Sequence, residues 1–454
     1  MALKNAQISW EALQCAAVLA CVADSDPAIA RAATATLAGV CLFHRERWPD
    51  ALESLCSLLD RGILAALAAA DALCEDGNCC IKIGTIAILM QVCKLSYIGA
   101  PQLEEHSPAS VDRLLDHALT VLNTTESIQI INMNPHCATA LRIITHFLSF
   151  KSDILFARIN PFMQSIYLHV NDQDPRVRQN VCLAFVSLAE VAPELLVDVL
   201  PDVVSFMLFC TSDNNPAVAL EASIFWLVLA EQDQMHVHLE SHMKNIMPVL
   251  MAGIIYTAED IEELTGLQED AHIPDNVNDI KPRHHKGKNY SPAEMLATEG
   301  MDQDSELDDG DDDLDDEDDQ KWNVRKYCAS ALDVFATVYG DDLLPDILPH
   351  INTLLFHQNW VNREAGILAL GAISEGCPHG MNPYLPTIVP LLLKALHDPN
   401  PLVKSITCWT FGRYSGWIVP ADNPDETHLR TYFYPLVEGV FNFLKAASLN
   451  DPGK

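Results

Sequence analysis

The sequence predicts an all-α protein: a superhelical array of two-helix repeats carrying one long acidic insertion. Three observations lead there. A polar turn followed by valine and a long apolar helix recurs, with the valines spaced by 41 (Val177 to Val218), 37 (Val324 to Val361) and 42 (Val361 to Val403) residues. A second apolar stretch, marked by proline, precedes each turn. One interval, Val218 to Val324, runs to 106 residues, and its excess changes abruptly in composition.

The earliest and weakest copy is Asp24-Ser25-Asp26-Pro27-Ala28-Ile29, followed by ARAATATLAGVCL. Asp174-Pro175-Arg176-Val177-Arg178 then leads into QNVCLAFVSLAEV, and Asn214-Asn215-Pro216-Ala217-Val218 into ALEASIFWLVLAE. Later copies open at Trp322-Asn323-Val324-Arg325, at Asn359-Trp360-Val361-Asn362-Arg363 and at Asn400-Pro401-Leu402-Val403-Lys404. The preceding helices are expected to open near Pro161, Pro201, Pro349 and Pro386. Proline is tolerated at a first helical position because its missing N–H has no partner there anyway. One such helix pair cannot bury its apolar stripe alone, so neighbours must stack into a continuous core. The spacing lies at the lower edge of the roughly 40–47 residues of HEAT and armadillo repeats. A HEAT-repeat α-solenoid is the expected architecture.

The insertion contains Asp279-Ile280-Lys281-Pro282-Arg283-His284-His285-Lys286-Gly287-Lys288 and then the run MDQDSELDDGDDDLDDEDD at 301–319, in which 13 of 19 residues are acidic. Such a run repels itself and is expected to stay solvated. It divides the chain into repeats over 1–256, an acidic loop over 257–320 and further repeats over 321–454. A charge run is most often a solubility device, but one set between two repeats is tied to one place on the array.

Composition narrows the function. The 454 residues carry a formal charge of −34 and are 49% apolar. A phosphate backbone and an anionic membrane would both be repelled, so neither nucleic acid nor membrane is expected as a partner, whereas basic segments are. MALKNAQISWEALQ shows no secretory signal pattern, so Asn123-Thr124-Thr125 is read as a chance sequon. The 14 cysteines are scattered through apolar runs, the distribution of buried free thiols in a reducing compartment. Cys74, Cys79 and Cys80 cluster without a second ligand pair, and structural thiols are preferred there over a metal. No Walker A, GxSxG, HExxH or paired CxxC motif occurs. No catalytic residue, metal or cofactor is expected.

What remains is a binding array presenting its second helices. Trp226, Trp409 and Trp417 are placed on these, as are Asp333 and Glu364. Aromatic residues fill cores and also anchor interfaces, and periodicity does not choose between the two.

Several long stretches carry a resemblance. DPRVRQNVCLAFVSLAEV, NPAVALEASIFWLVLAEQ, WNVRKYCASALDVFATVYGDDLLPDILP, GILALGAISEGC and SITCWTFGRYSGW are similar to the transportin-type nuclear import receptors of the importin-β superfamily. DNVNDIKPRHHKGK and the acidic run after it resemble the same family. The resemblance implies a non-enzymatic receptor shuttling between cytoplasm and nucleus. It would bind basic cargo segments ending in Pro-Tyr, release them on the GTP form of the Ran GTPase, and contact nucleoporins. Residues 1–256 would be the Ran-binding half, and 321–454 would begin the cargo-binding arch. Carried over by motif, the Pro-Tyr pocket would use Ser330, Asp333, Leu368, Ile406 and Trp409, with Ser330 standing where a small apolar residue is expected. The switch would be Asp308, Asp309, Asp311, Asp312, Asp313, Asp315, Asp316, Glu317, Asp318 and Asp319. The opening repeats are shorter than the family's, and Lys454 falls near the middle of a full receptor, so a truncated or partial receptor is expected. Two other classes stay open: a HEAT scaffold without cargo release, and an acidic chaperone of basic proteins.

Overall fold

The computed structural model describes residues 104, 108–124, 134–262, 322–420 and 425–450. The copy at Asp24, the Cys74 cluster and the whole acidic run lie outside the described residues. Two compact units are present, one ending at Ala192 and one beginning at Pro193. The first holds α1 (Pro108–Thr124), α2 (Asn134–Ser149), α3 (Ile159–His169) and α4 (Pro175–Val191). The second holds α5 (Leu200–Thr211), α6 (Pro216–Ala230), α7 (Met243–Gly253), α8 (Val324–Tyr339), α9 (Leu344–Leu355), α10 (Trp360–Ala372), α11 (Leu385–Ala395), α12 (Pro401–Arg413) and α13 (Tyr434–Asn450). No strand occurs among the described residues.

Each unit is a stack of helix pairs. In the first, α1 packs on α2 and on α3, and α2 packs on α4. In the second, the second helices α6, α8, α10 and α12 pack in succession, while α7 lies between α5 and α9. This two-layer stacking is the α-solenoid arrangement that the repeat spacing predicts. α6 is apolar almost all round and buries Val218, Ala222, Phe225, Trp226 and Leu229, as a helix in a middle layer must. α7 and α8 pack together as one repeat although they are far apart in sequence.

The recurring turn has a specific chemistry. Asp174, Asn215, Asn359 and Asn400 each accept, through the side chain, the backbone N–H two residues on, at 2.9, 3.1, 3.3 and 2.9 Å. These are N-caps, satisfying donors that the first helical turn leaves orphaned. The residue two before the cap completes the turn: Asp172, Asp213 and Asp398 accept the cap's own N–H at 2.8, 2.9 and 2.9 Å. The valine that follows is buried at Val177, Val218, Val361 and Val403, but only half-buried at Val324.

The Asn323 cap instead accepts the N–H three residues on, from Lys326 at 3.0 Å, and the Asn359 turn departs in its first residue. His357 Nδ1 takes the Asn359 N–H at 3.0 Å and faces Asn362 Nδ2 at 2.8 Å. Arg363 donates to the carbonyls of His357 and Gln358 beside it. A carboxylate accepts in any orientation and suits the neighbouring guanidinium, whereas imidazole must present an unprotonated nitrogen. His357→Asp is therefore expected to stabilise the chain by about 0.5–1 kcal/mol. A urea midpoint that stays put or falls would count against this account of the turn.

Two details of the sequence reading are corrected. Pro201 and Pro386 do open α5 and α11, but α9 opens at Leu344-Pro345 and Pro349 lies inside it. Pro248 and Pro390 occupy the same interior position of α7 and α11, so three first helices each lack one helical hydrogen bond at a matching place. Trp417 lies on the short segment Ser415–Ile418 beyond α12, not on the second helix itself. Cys137, Cys182, Cys210, Cys328 and Cys377 are buried and not in disulfides, and burial pushes the Cys328 thiol up to about 12.

Candidate functional site

The predicted residues lie on three consecutive second helices of the second unit, packed in succession. α10 packs against both α8 and α12. Ser330 and Asp333 lie one turn apart on α8, Leu368 lies on α10, and Ile406 and Trp409 lie one turn apart on α12. Leu368 is buried, while Ser330, Asp333, Ile406 and Trp409 are half-buried. Residues three apart share a helix face, so each pair presents a joint surface rather than two opposed ones.

The organising group of this face is Arg413, which the sequence reading did not single out. Its Nη2 donates to Asp333 Oδ1 at 2.8 Å and its Nη1 to Glu375 Oε1 at 2.8 Å. Its Nε donates to the Gly371 carbonyl at 3.1 Å and to Ser374 Oγ at 3.2 Å. The guanidinium carbon stands 5.7 Å from the centre of the Trp409 ring. One planar fork thereby ties α12 to α8 and to the end of α10, a task that five rigid donors suit and a lysine does not. The available signal was its position four residues after Trp409, on the same face.

Electrostatics follow from this geometry. Partial burial raises the Asp333 carboxyl above the usual range, and the Arg413 charge pulls it back. The face combines a half-exposed indole, the half-buried Ile406 one turn before it, and a cation held between two carboxylates. It can accept an apolar or aromatic side chain beside a polar rim, the usual composition of a peptide-anchoring site.

The other candidates separate. Trp226 is fully buried and donates Nε1–H to Thr211 Oγ1 at 2.8 Å, which makes it core. Glu364, one turn before Leu368 on α10, is buried and pairs with Arg325 at 2.6 Å. Trp417 packs its ring against His428 and Tyr432, at 4.8 and 5.0 Å between centres. The acidic residues from Asp308 to Asp319 lie outside the described residues. Among the described residues, no group of His, Cys, Asp and Glu is placed to hold a metal. No helix among them is long and apolar enough to cross a membrane.

Comparison with known proteins bears on the repeats and the fold. Residues 360–414, which span α10 to α12, match a HEAT-like repeat family model. Transportin-1 of Mus musculus is 37% identical over 399 residues, covering 87% of this chain and 41% of that protein. The solved structure of yeast importin-β, Kap95p, superposes with a TM-score of 0.57 at 18% identity, over 95% of this chain and 43% of that one. A structure of Kap95p whose binding is described as inducing the switch loops of RanGDP to adopt the GTP-bound conformation gives 0.54 at 17% identity, over 93% and 41%. The chain thus spans about two-fifths of the relatives it matches. On the repeat stacking, the turn chemistry and the transportin likeness together, the chain belongs to the transportin-type branch of the importin-β superfamily.

Proposed function

We propose that this chain is part of a nuclear import receptor, and that the face formed by α8, α10 and α12 takes the Pro-Tyr end of a basic cargo segment. The observation that carries this reading is Arg413, which bonds Asp333 on α8 and the Gly371 carbonyl on α10 and stands beside Trp409 on α12. Ser330 would line the α8 side. A net charge of −34 favours a basic partner and repels nucleic acid and anionic membrane. GTP-loaded Ran and nucleoporins are the further partners in this reading, with residues 1–256 as the Ran-binding half. The receptor would shuttle between cytoplasm and nucleus. No chemistry on a substrate is involved.

In the same reading, the acidic run around Asp308 to Asp319 competes with the basic cargo segment. A tethered competitor reaches millimolar effective concentration when its linker spans the distance, and Ran would bias it toward the cargo face. Deleting 301–319 is expected to leave affinity for a basic Pro-Tyr peptide unchanged or raised, and to weaken its release by GTP-loaded Ran. A pull-down with Ran in its two nucleotide states, with and without the run, reads both effects. Loss of peptide capture on deletion would favour the acidic-chaperone reading instead. Unaltered release would remove the switch.

A further inference from the structure

α10 meets α12 at a point where no side chain fits. A Cβ added to Gly371 would stand 2.8 Å from Trp409 Cε3 and 2.9 Å from Cη2, and nearer still to Cζ3. Carbon atoms in contact keep about 3.5–4.0 Å, so the indole rests on bare backbone. The carbonyl of the same residue accepts Arg413 Nε at 3.1 Å. One peptide unit of α10 therefore touches both groups that α12 presents to the candidate face.

Nothing in the backbone explains a glycine here. Gly371 is the penultimate residue of α10, in right-handed helix, where alanine is generally preferred over glycine. Gly366 on the same helix has an ordinary structural reason, since a Cβ there would meet the Leu355 backbone nitrogen at 2.9 Å. The three atoms that a Cβ at Gly371 would meet first instead all belong to one half-exposed side chain.

We infer that Gly371 is a positioning residue: the missing side chain sets the orientation of the Trp409 indole, and its carbonyl sets the reach of Arg413 toward Asp333. A side chain at 371 would swing the ring off its seat and unsettle the Arg413 bridge with it. This role rests on the reading of the face as a peptide site, and the experiment is arranged to tell the two apart.

The full chain is labelled with 5-fluorotryptophan, Trp409→Phe assigns the resonance, and a basic peptide ending in Pro-Tyr is titrated against four forms: the parent, Gly371→Ala, Trp409→Ala and the double variant. Gly371→Ala is expected to move the Trp409 resonance, spare the other tryptophan resonances and the helical circular dichroism, and weaken the peptide at least tenfold. In the Trp409→Ala background the same change is expected to alter affinity less than twofold, because the ring it acts through is gone. An unmoved resonance, unchanged affinity in Gly371→Ala while Trp409→Ala weakens binding, or an equal loss in both backgrounds would each overturn the inference and leave the peptide reading standing. Unchanged affinity in Trp409→Ala alone would overturn the peptide reading and this role with it. If Gly371→Ala melts below the assay temperature, adding Trp409→Leu removes the obstructing ring and is expected to restore the fold. Failure of that rescue would also overturn the inference.

Discussion

Leucine in place of Arg325 is expected to lower the free energy of unfolding by about 3–5 kcal/mol, the usual cost of stranding one member of a buried ion pair. Arg325 Nη2 donates to Glu364 Oε1 at 2.6 Å, with the two side chains 11% and 2% exposed. Its Nη1 donates to the Ile254 carbonyl just past α7, and its guanidinium lies 3.8 Å from the centre of the Tyr256 ring. One side chain thus joins the end of α7, the start of α8 and the middle of α10. Burial pushes the Glu364 carboxyl above its ordinary range, while the Arg325 charge and hydrogen bond draw it back. Without Arg325 it rises further. A carboxyl raised in the folded state gives its full stability at acid pH and loses it as pH climbs through the raised value. The deficit of Arg325→Leu should therefore be largest at neutral pH and shrink toward the ordinary glutamate range near pH ~4.3. Denaturant melts at the two pH values check this, and Glu364→Leu added to the variant should recover most of the loss, since apolar pairs replace buried ion pairs at little cost. A deficit independent of pH and of Glu364 would place the energy in the Ile254 and Tyr256 contacts instead.

How much of this was legible follows the range of each interaction. The repeats were visible because their causes are local: a cap, a valine pointing inward and an apolar helix fall within a few residues of one another, as at Asn400-Pro401-Leu402-Val403. The carboxylate two before three of the caps was equally local, yet Asp172 and Asp398 look like ordinary turn residues until their acceptor role is seen. Core and contact could not be separated by sequence for the tryptophans. Trp226 and Trp409 both follow apolar helical runs, and only packing makes one core and leaves the other half-exposed. Arg413 was out of reach for a different reason. Its partner Asp333 is 80 residues away, and no periodicity encodes which carboxylate a given guanidinium will meet. Glu364 likewise shares the second helices with Asp333, but an unseen Arg325 decides that it is buried structure rather than surface.

Trp409→Ala is expected to weaken a basic peptide ending in Pro-Tyr by about 2 kcal/mol or more, roughly thirtyfold, while leaving most of the chain's stability in place. The indole is half-buried, seated on Gly371 and beside Arg413, so its truncation leaves no enclosed cavity. Trp226 supplies the contrast. It is fully enclosed and hydrogen-bonded to Thr211, and its truncation is expected to cost about 3–5 kcal/mol of folding stability. Measuring peptide affinity and the denaturant midpoint on both variants separates an anchor from a core residue. Salt adds an independent reading. Contacts between exposed charges fade as ionic strength rises, because screening acts within about 8–10 Å near physiological salt. An apolar anchor is far less sensitive, so the thirtyfold factor should persist from low to moderate salt even as absolute affinity falls. A sequence-blind acidic chaperone behaves in the opposite way, losing affinity steeply with salt and showing no dependence on Trp409. If Trp409→Ala left peptide affinity intact while lowering the midpoint as far as Trp226→Ala, the residue would belong to the core, and the site on α8, α10 and α12 would have to be given up.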